Sequence, residues 1–431
     1  MRESAKMKTF RPYEPDQMLL MPPDLREWLP EGHLAHFVSD VVDELNLTGI
    51  TAPYEKEERG YPPYDPAMMT KLLVYGYCVG VRSSRRIERS TVEDVAFRVL
   101  AAGNAPAHRT IAEFRRRHLG ALSRLFVEVL EICRAAGLVK LGHVAIDGTK
   151  VRANASKHKA MSYRRMKEEE ERLGKVVDGI LDEAERVDRE EDRRYGPERR
   201  GDEMPEEFVR AESRLRKIRE AKAALEREAR AKGREAPAAK AQRNFTDPES
   251  RILVDADRAY IQGYNAQAAV DAQSQVIVGA GVSQAAPDGE HLVPMLDEVE
   301  KNTGRRPKEV SADAGYWSER NVEEAKRRGV EAFIAPERTR HERHLPPPRG
   351  RMPMHLSAKG RMRRLLSTRR GRARYGLRKV SVEPVFGQMK EGGGFRRFLL
   401  RGIDKVRGEW LLACLAHNIR KLFRRLRPAP A

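Results

Sequence analysis

The sequence predicts an α/β protein that begins with an all-helical region, and three observations lead to this fold class. Residues 1–138 carry apolar residues at helical spacing. From residue 139 onward, short apolar runs of strand type alternate with amphipathic segments, so residues 139–431 are predicted to form one α/β domain. A long charged segment, residues 157–243, interrupts that domain soon after its first strand.

The composition excludes several classes of protein. A chain of 431 residues predicts two or three domains, and 34% charged residues predict a soluble, highly charged surface. No apolar run approaches the roughly 18 residues of a membrane span, and residues 1–16 lack the apolar segment of a signal peptide. We therefore expect no membrane contact and a cytoplasmic location. The three cysteines, Cys78, Cys133 and Cys414, have apolar neighbours and are predicted to be core residues in a reducing compartment.

The net charge of +19 is concentrated near the C-terminus. Residues 336–379 contain 15 Lys and Arg against 2 Asp and Glu, and residues 380–431 contain 11 against 4. Concentrated arginine is the electrostatic signature of a polyanion-binding surface. The alternative is a disordered basic tail. It is less favoured, because helical periodicity of apolar residues resumes within and after the basic segment.

The N-terminal region is predicted to contain several helices. The first has an apolar face made by Leu34, Phe37, Val38, Val41, Val42 and Leu45. Further helices are predicted at about residues 67–81 and 83–100, after a loop at residues 51–65. A turn at residues 101–108 precedes a capping-box pattern at residues 110–113, which predicts a short helix ending in Arg115, Arg116, Arg117 and His118. This pattern is compatible with a helix-turn-helix in which the three arginines contact DNA, although any charged helical bundle looks similar.

Residues 157–243 are dominated by Glu, Arg, Lys and Ala. Near-heptad spacing is kept by two sets of apolar residues: Leu173, Val176, Ile180, Ala184 and Val187, and then Phe208, Ala211, Leu215, Ile218 and Leu225. Glycine and proline interrupt the pattern at residues 195–205. The segment is therefore predicted to be a helical hairpin inserted into the α/β domain, acting as a spacer or an interaction arm.

The first predicted strand, residues 144–146, ends in Asp147 followed by Gly148. One interpretation is a turn, since Asp and Gly are turn residues for backbone reasons. The other is that Asp147 is a metal ligand at a sheet edge, with Gly148 permitting close approach of another backbone. A second strand that ends in an aspartate, residues 309–313 with Asp313 followed closely by Gly315, favours the metal-ligand interpretation.

The order of the later elements predicts how these aspartates meet. Strands are predicted at residues 264–270 and 276–282 as a hairpin, then a helix at 292–299, the strand at 309–313, a helix at 318–328 and a strand at 330–335. An antiparallel trio followed by parallel strand–helix units is the ribonuclease H-like order. We therefore expect a ribonuclease H-like catalytic domain, in which the first and fourth strands are neighbours and Asp147 lies close to Asp313.

A third carboxylate, Glu383, follows the basic connection at residues 336–379. A helix is predicted at residues 380–390, with Pro384 in its first turn and Glu383 at the positive end of its dipole. A final helix is predicted at residues 405–426. Three carboxylates without a His or Cys partner indicate a site for Mg²⁺, or Mn²⁺ in its place. Two such ions about 3.5–4 Å apart can clamp an in-line phosphoryl transfer.

The chain resembles the DDE transposases of bacterial insertion sequences, close to the insertion-sequence 1182 group and related to the 4 and 5 groups. The most specific similarity lies in residues 145–150, 262–267, 311–316 and 382–390. The resemblance implies that Asp147, Asp313 and Glu383 are the catalytic, metal-binding triad. It also matches Tyr375, Arg378, Glu383 and Lys390 to the family's Tyr-Arg-Glu-Lys signature. The gap from Arg378 to Glu383 is four residues, where the common pattern has three, so Lys379 is an alternative to Arg378.

The resemblance further implies a transposase that binds terminal inverted repeats, cleaves the element ends and joins their 3′-hydroxyls to target DNA. A homodimer on double-stranded DNA, in the bacterial cytoplasm at the nucleoid, is the implied assembly. Tyr375, Arg378 and Lys390 are expected to contact DNA, with Lys390 on the same helix face as Glu383. Four arginines of the basic connection are expected to do so as well: Arg369, Arg370, Arg372 and Arg374. Tyr316 and Trp317 are either base-stacking residues or core aromatics.

Three other functions are compatible with parts of the sequence. A ribonuclease H-like nuclease would cut DNA without joining it. A catalytically silent, transposase-derived protein would only bind DNA, although the complete triad argues against this function. A structural coiled-coil protein would account for residues 157–243 alone.

Overall fold

The structure, a computed structural model, describes residues 24–55, 62–195, 206–255, 257–337, 350, 353 and 355–426. Its N-terminal part is helical, as predicted: α1 (Leu34–Glu44), α2 (Thr48–Glu55), α3 (Pro66–Val79), α4 (Ser84–Glu93), α5 (Val95–Leu100) and α6 (His108–Ala135). The ends of α3 show why these residues form a helix. Asp65 accepts a hydrogen bond from the Met68 amide at 2.7 Å, and Pro66 occupies the first turn. Gly80 ends the helix in the left-handed region, at φ 81°.

The helix that carries the three N-terminal arginines differs from the prediction. α6 begins at His108 and continues for 28 residues, so the predicted short helix with its capping box at residue 110 is wrong. The reason is that apolar residues continue at helical spacing beyond His118 and are buried: Leu119, Leu122, Leu125, Phe126 and Val129. α2 likewise occupies part of the segment that was predicted to be a loop.

The strands are β1 (His143–Arg152), β2 (Ala160–Ser162), β3 (Gln242–Asn244), β4 (Arg251–Val254), β5 (Tyr260–Asp271), β6 (Ile277–Ser283), β7 (Glu309–Ala312) and β8 (Glu331–Ile334). In the main sheet, β4 and β6 both pair with β5, and the order continues β5-β1-β7-β8. β5 is antiparallel to its neighbours, whereas β1, β7 and β8 are parallel. The predicted pairing of the Asp147 strand with the Asp313 strand is confirmed, with Ile146 opposite Ala312.

Strand β1 is longer than predicted and does not end at Asp147. It continues to Arg152 because β5 supplies a partner along its whole length, from Val144 opposite Asp271 to Arg152 opposite Gly263. Asp147 therefore lies inside a strand, at the point where the shorter β7 has already ended.

The remaining helices are α7 (Tyr163–Tyr195), α8 (Glu206–Ala231), α9 (Leu292–Thr303), α10 (Glu319–Arg327), α11 (Ala358–Ser367), α12 (Arg369–Gly387) and α13 (Ile403–Leu426). α9 packs on one face of the sheet, where a Cβ at Gly279 would lie 3.0 Å from Val299. α12 packs on the other face. Gly279 pairs with Ala269 of β5 and Asp147 pairs with Ala268, and successive residues of a strand point to opposite sides. Asp147 therefore points away from α9, and it contacts Arg378 of α12. The sheet is thus a central layer between helices.

The C-terminal helix joins the two parts of the chain. α13 packs against α3 and α6 as well as against β6, and Trp410 of α13 is fully buried. One continuous hydrophobic core therefore includes residues of the N-terminal helices, the sheet and α13. The three cysteines are buried and free, as predicted. None of the described helices is long and apolar enough to cross a membrane.

The inserted segment forms two helices, α7 and α8, that pack against each other. They have a small core separate from the main one, made by Tyr163, Met166, Leu173, Leu215, Ile218, Ala221 and Leu225. The short β2–β3 ladder lies where the two helices join the domain. The predicted turn of the hairpin, and the three consecutive prolines of the basic connection, lie outside the described residues.

Because its core is separate, the hairpin should be dispensable for folding. Replacing residues 163–241 with a short Gly/Ser linker is expected to leave a single cooperative thermal transition for the rest of the chain. The two ends of the replaced segment are adjacent, since the Tyr163 amide donates to the Ala241 carbonyl at 2.8 Å. Differential scanning calorimetry measures the result, and loss of the cooperative transition would show that the hairpin stabilises the main core.

Candidate active site

Asp147 lies in the middle of the sheet and faces α12. Its carboxylate accepts hydrogen bonds from the Gly148 amide and from Arg378 Nη1, both at 2.8 Å. A Cβ at position 148 would lie 2.4 Å from Gln267 Nε2 and 2.8 Å from Asp288 Oδ1. Glycine is therefore needed beside Asp147 because polar side chains, rather than another backbone, approach the chain there.

Burial governs the ionisation of Asp147. Removal from water raises the pKa of this carboxyl to about 7. The Arg378 charge opposes that shift, whereas the nearby charges of Asp313 and Asp288 add to it. Asp147 is consequently poised to exchange a proton near neutral pH, which is unusual for an aspartate and typical of functional sites.

Arg378 connects two of the three predicted triad residues. Its Nη1 bonds Asp147 Oδ2 at 2.8 Å and its Nη2 bonds Glu383 Oε1 at 2.9 Å. The Tyr375 ring lies beside the guanidinium, with its centroid 5.9 Å from the guanidinium carbon. The four-residue gap between Arg378 and Glu383 is therefore compatible with direct contact between them. Among the described residues, the buried Nε of Arg378 has no hydrogen-bond acceptor.

The position of Glu383 differs from the prediction. α12 begins at Arg369, where Thr368 caps it by accepting from the Gly371 amide at 2.9 Å, so Glu383 lies in the helix interior and not in its first turn. Pro384 cannot donate a hydrogen bond to the Val380 carbonyl. Gln275 Nε2 donates to that carbonyl instead, at 2.8 Å. This long-range contact accommodates a proline that the sequence pattern places at a helix start.

The described part of the basic connection contains helices that were not predicted. α11 and the first half of α12 both lie within residues 336–379. Arginines occupy many positions of these two helices, so the sequence shows no helical spacing of apolar residues there.

Asp313 directly follows β7 and caps a 3-10 turn, Ala314–Tyr316, by accepting from the Gly315 amide at 2.9 Å. In the parallel register it comes next to Asp147, because Ile146 is opposite Ala312. The order of the strands correctly predicted that the strands carrying these two aspartates would be neighbours.

A fourth carboxylate, Asp288, was not predicted as a site residue. It accepts hydrogen bonds from Asn265 Nδ2 at 2.7 Å, Gln267 Nε2 at 3.0 Å and Lys150 Nζ at 3.1 Å. It also approaches the Asp313 turn, since a Cβ at Gly315 would lie 3.5 Å from Asp288 Oδ2. The signal in the sequence was the pair of amides two residues apart in an otherwise buried strand, which must face one polar partner.

Tyr316 is a core residue, which decides between the two alternatives left open for it. It is fully buried, and its hydroxyl donates to Gln267 Oε1. Burial, followed by the charges of Asp147, Asp288 and Asp313, raises its pKa well above the ordinary value for tyrosine. Trp317 is partly buried and packs against the same core.

Lys390 lies in a different environment from Glu383. A π-helical turn, Gln388–Gly392, follows α12 directly, so the i, i+7 geometry of an α-helix does not hold between Glu383 and Lys390. Burial lowers the pKa of Lys390, and the Arg396 charge lowers it further. The carboxylates that act on it are Asp255, Asp257 and Glu391.

The four arginines of the basic connection differ in their partners. Arg370 pairs with Glu309 at 2.9 Å and also with Glu331, and Arg374 pairs with Glu309 at 2.9 Å. Arg372 donates to the Ser367 carbonyl at 3.1 Å. Arg369 is exposed at the start of α12. Part of this basic surface is therefore neutralised internally.

The three N-terminal arginines also differ. Arg115 is buried and donates to the Arg82 carbonyl at 3.0 Å, so its guanidinium is not accessible to a DNA phosphate in this structure. Arg116 pairs with Glu113 at 2.8 Å on the helix surface. Arg117 lies over the Tyr54 ring, 4.9 Å from its centroid.

The site thus combines acidic oxygens with one arginine. In the part of the chain that the structure describes, no group of three or more His, Cys, Asp or Glu residues is arranged so that it could hold a metal ion. Arg378 provides positive charge between Asp147 and Glu383 instead. The donors are carboxylates without a His or Cys partner, and oxygen donors of this kind suit a hard divalent cation.

Two family models match the chain. A Transposase domain (DUF772) matches residues 23–117, and a Transposase DDE domain matches residues 239–419. No curated protein and no solved structure matches it. Asp313, Glu383 and Asp288 lie within the second match, whereas Asp147 precedes it on the other side of the inserted hairpin. Strand β1 nevertheless pairs with β5 and β7 of the matched segment. The chain therefore carries two transposase domains, one at residues 23–117 and a DDE domain at residues 239–419, which together support a transposase function in a mobile element.

Proposed function

We propose that this chain is a DDE transposase of the insertion-sequence 1182 group, which cleaves DNA at its element's ends and joins the 3′-hydroxyls to target DNA. Asp147, Asp313 and Glu383 are its catalytic residues. The observation that carries the proposal is the link from Asp147 through Arg378 to Glu383, at 2.8 and 2.9 Å, beside the strand that ends at Asp313. This link, beside the end of β7, supports the assignment of the three residues to one site.

The fold we propose for the catalytic domain is ribonuclease H-like. Its support is the strand order β6-β5-β1-β7-β8, in which only β5 runs against β1 among the central strands. The roles that we propose for the parts of the chain follow from this strand order. Residues 139–431 carry the chemistry, with residues 157–243 as an inserted arm and 336–379 as the basic connection. Residues 1–138 bind the element ends.

The proposed cofactor is Mg²⁺, with Mn²⁺ as a substitute. Asp147, Asp313 and Glu383 would hold it, and their oxygen donors fit a hard cation. When bound, such ions activate the attacking oxygen and stabilise the leaving oxygen of a phosphoryl transfer. Arg378 must then release Asp147 and Glu383, and its planar guanidinium becomes free to bind a DNA phosphate through two hydrogen bonds. Asp147 must be ionised in that state, which its raised pKa makes dependent on pH near 7.

The proposed partners are the terminal inverted repeats and target DNA, bound by a homodimer in the bacterial cytoplasm. Phosphate contacts are proposed for residues exposed or half-buried near α12, namely Arg369, Arg370, Arg372, Arg374, Tyr375 and Lys390. Arg370 and Arg374 must break their ion pairs with glutamate before they bind phosphates. Each therefore contributes less to the affinity for DNA than Arg369. On α6, the proposed contacts are Arg116 and Arg117.

The function is tested by incubating the full chain with Mg²⁺ and a labelled duplex that contains one element end and its flank, together with a supercoiled target plasmid. Strand breaks at the element end and labelled plasmid are both expected. Cleavage without joined product would indicate a nuclease, and binding without cleavage would indicate a catalytically silent DNA-binding protein. Either result would contradict the proposed reaction.

A further inference from the structure

We propose that a basic groove at the far end of β1 binds single-stranded DNA. The groove is formed by residues 152–159, Thr246, residues 259–262, Arg397 and Arg401. It lies outside the Asp147 site, and neither family match assigns it a role. The proposal rests on the proposed DNA substrate, but it concerns binding, and its test requires no cleavage.

The charge of the groove has one sign. Its cations are Arg152, Lys157, Lys159, Arg397 and Arg401, and no carboxylate lies among its lining residues that the structure describes. Within those same described segments, none of the five side chains forms an ion pair. On the inserted hairpin, by contrast, charges are paired along the helix, as in Arg172 with Glu169 and Lys175 with Glu171. Unpaired cations gathered in a concave surface attract a polyanion.

The backbone beneath these cations is firmly connected. The segment after the π-helical turn runs beside the end of β1, where the Phe398 amide donates to the Arg152 carbonyl at 2.8 Å. Asn154 Nδ2 donates to the Leu399 carbonyl at 2.7 Å, and Arg401 Nε donates to the Asn154 carbonyl at 2.9 Å. On the other wall, Asn244 Nδ2 holds the Ser156 carbonyl at 2.7 Å. The backbone that carries these cations is thus fixed by the fold before any ligand binds, and among the five side chains Arg401 is also held by a hydrogen bond, which lowers the entropy cost of binding.

The groove also contains an exposed aromatic ring. Tyr260, the first residue of β5, is 68% exposed. A basic groove with an exposed aromatic residue is the arrangement by which proteins bind unpaired nucleotides, because a base can stack on the ring while the cations follow the phosphates. The bases of a duplex are already stacked on one another and would leave Tyr260 unused. This residue therefore favours a single strand over a duplex.

The groove lies within reach of the Asp147 site. Arg152 is five residues beyond Asp147 on β1, which at ~3.3 Å per residue is roughly 17 Å. A stacked strand covers that distance in roughly five nucleotides at ~3.4 Å per nucleotide. The groove and the Asp147 site are therefore separated by the length of a short single strand, although Arg152 and Asp147 point to opposite faces of β1. We infer that the groove takes a strand that has been separated from its complement near the cleavage point.

The test measures the binding of a fluorescein-labelled 12-nucleotide oligothymidylate to the full chain by anisotropy, in EDTA and over a range of salt concentrations. The triple variant Arg152→Gln/Lys157→Gln/Arg397→Gln is expected to lower the log–log salt slope by up to about 2, since each lost phosphate contact on a single strand contributes about 0.7. Tyr260→Ala is expected to weaken binding by about 5-fold or more, and Tyr260→Phe to retain it, because stacking needs only the ring.

The matched control is Arg216→Gln/Lys217→Gln/Arg230→Gln, which removes the same charge from exposed positions on α8. It should leave the slope nearly unchanged. The groove assignment is overturned if the control and the groove variant lose affinity equally. It is also overturned if a 12-base-pair duplex responds like the single strand while Tyr260→Ala has no effect. All binding measurements are made without metal. If the wild type failed to cleave DNA, the proposed function would be contradicted, but the binding of a single strand in the groove would not.

Discussion

Asp147→Asn is expected to lower Mg²⁺-dependent cleavage of an element end by about 10²-fold or more, while DNA binding in EDTA changes by only a few-fold. The change removes the charge of a carboxylate that the fold buries at the centre of the site, where electrostatic stabilisation of the reaction is strongest. Binding survives because Asp147 lies among carboxylates and contributes no positive charge toward a phosphate. Cleavage is measured on a labelled duplex and binding by anisotropy.

Stability gives a second measurement on the same variant. The pKa of Asp147 in the folded chain, about 7, is above its ordinary value of 3.8. The stability associated with the protonated carboxyl is therefore present at low pH and is lost as pH rises through 7. Asparagine has no such loss. Between pH 5 and pH 8 in EDTA, the melting temperature of Asp147→Asn should rise relative to that of the wild type.

The control for both measurements is Asp182→Asn, an exposed position on α7. It should cleave normally and show no relative change in melting temperature with pH. Addition of Mg²⁺ at pH 8 should stabilise the wild type more than Asp147→Asn, by ligand linkage. Wild-type cleavage by Asp147→Asn would show that the reaction takes place elsewhere on the molecule.

Glu409→Ala is expected to destabilise the whole chain by about 3–5 kcal/mol, the cost of leaving a buried charge without its partner. Glu409 of α13 is fully buried, and its carboxylate accepts from Arg82 Nη1 at 3.3 Å and from the Leu399 and Leu400 amides at 2.9 Å each. Arg82 in turn donates to the Gly394 carbonyl at 2.8 Å and lies 4.3 Å from the centre of the Phe395 ring. Loss of Glu409 leaves the buried Arg82 charge without its counter-ion and the Leu399 and Leu400 amides without their acceptor. Chemical denaturation measures the free energy of unfolding.

Two further variants distinguish this ion pair from an ordinary surface pair. Asp404→Ala removes the partner of Arg407, at 3.3 Å and with Asp404 90% exposed, and should cost less than about 1 kcal/mol. Arg82→Met/Glu409→Leu removes both charges and should cost less than the sum of the single changes. A Glu409→Ala protein as stable as Asp404→Ala would show that Glu409 is not the electrostatic link between the two parts of the chain.

The features that were predictable from the sequence are those set by local pattern. The predicted strand at residues 309–313 exceeds β7 only by Asp313, and the parallel pairing that brings Asp313 beside Asp147 followed from the order of strands and helices. Alternation and apolar runs report directly on burial, so they identify buried strands and amphipathic helices without knowledge of their partners.

The features that were not predictable depend on partners distant in sequence. Pro384 indicated a helix start, but Gln275, 105 residues away from the Val380 carbonyl it satisfies, makes a proline acceptable in the interior of α12. Asp288 was not predicted as a site residue, because Asn265 and Gln267, which donate hydrogen bonds to it, lie 23 and 21 residues away in sequence. Arg115 resembled its exposed neighbours, yet α6 continues past it and turns that side chain toward the Arg82 carbonyl.

The placement of α13 affects how this protein is made. Its residues complete the core that also contains α3 and α6, although α13 lies far from both helices in sequence. During translation the apolar faces of α3 and α6 emerge long before the helix that covers them, so the nascent chain carries exposed hydrophobic surface until α13 has been synthesised. Glu409 and its Arg82 partner also come together only then. A chain that stops before α13 would therefore be a substrate for chaperones and proteases, rather than a shortened enzyme.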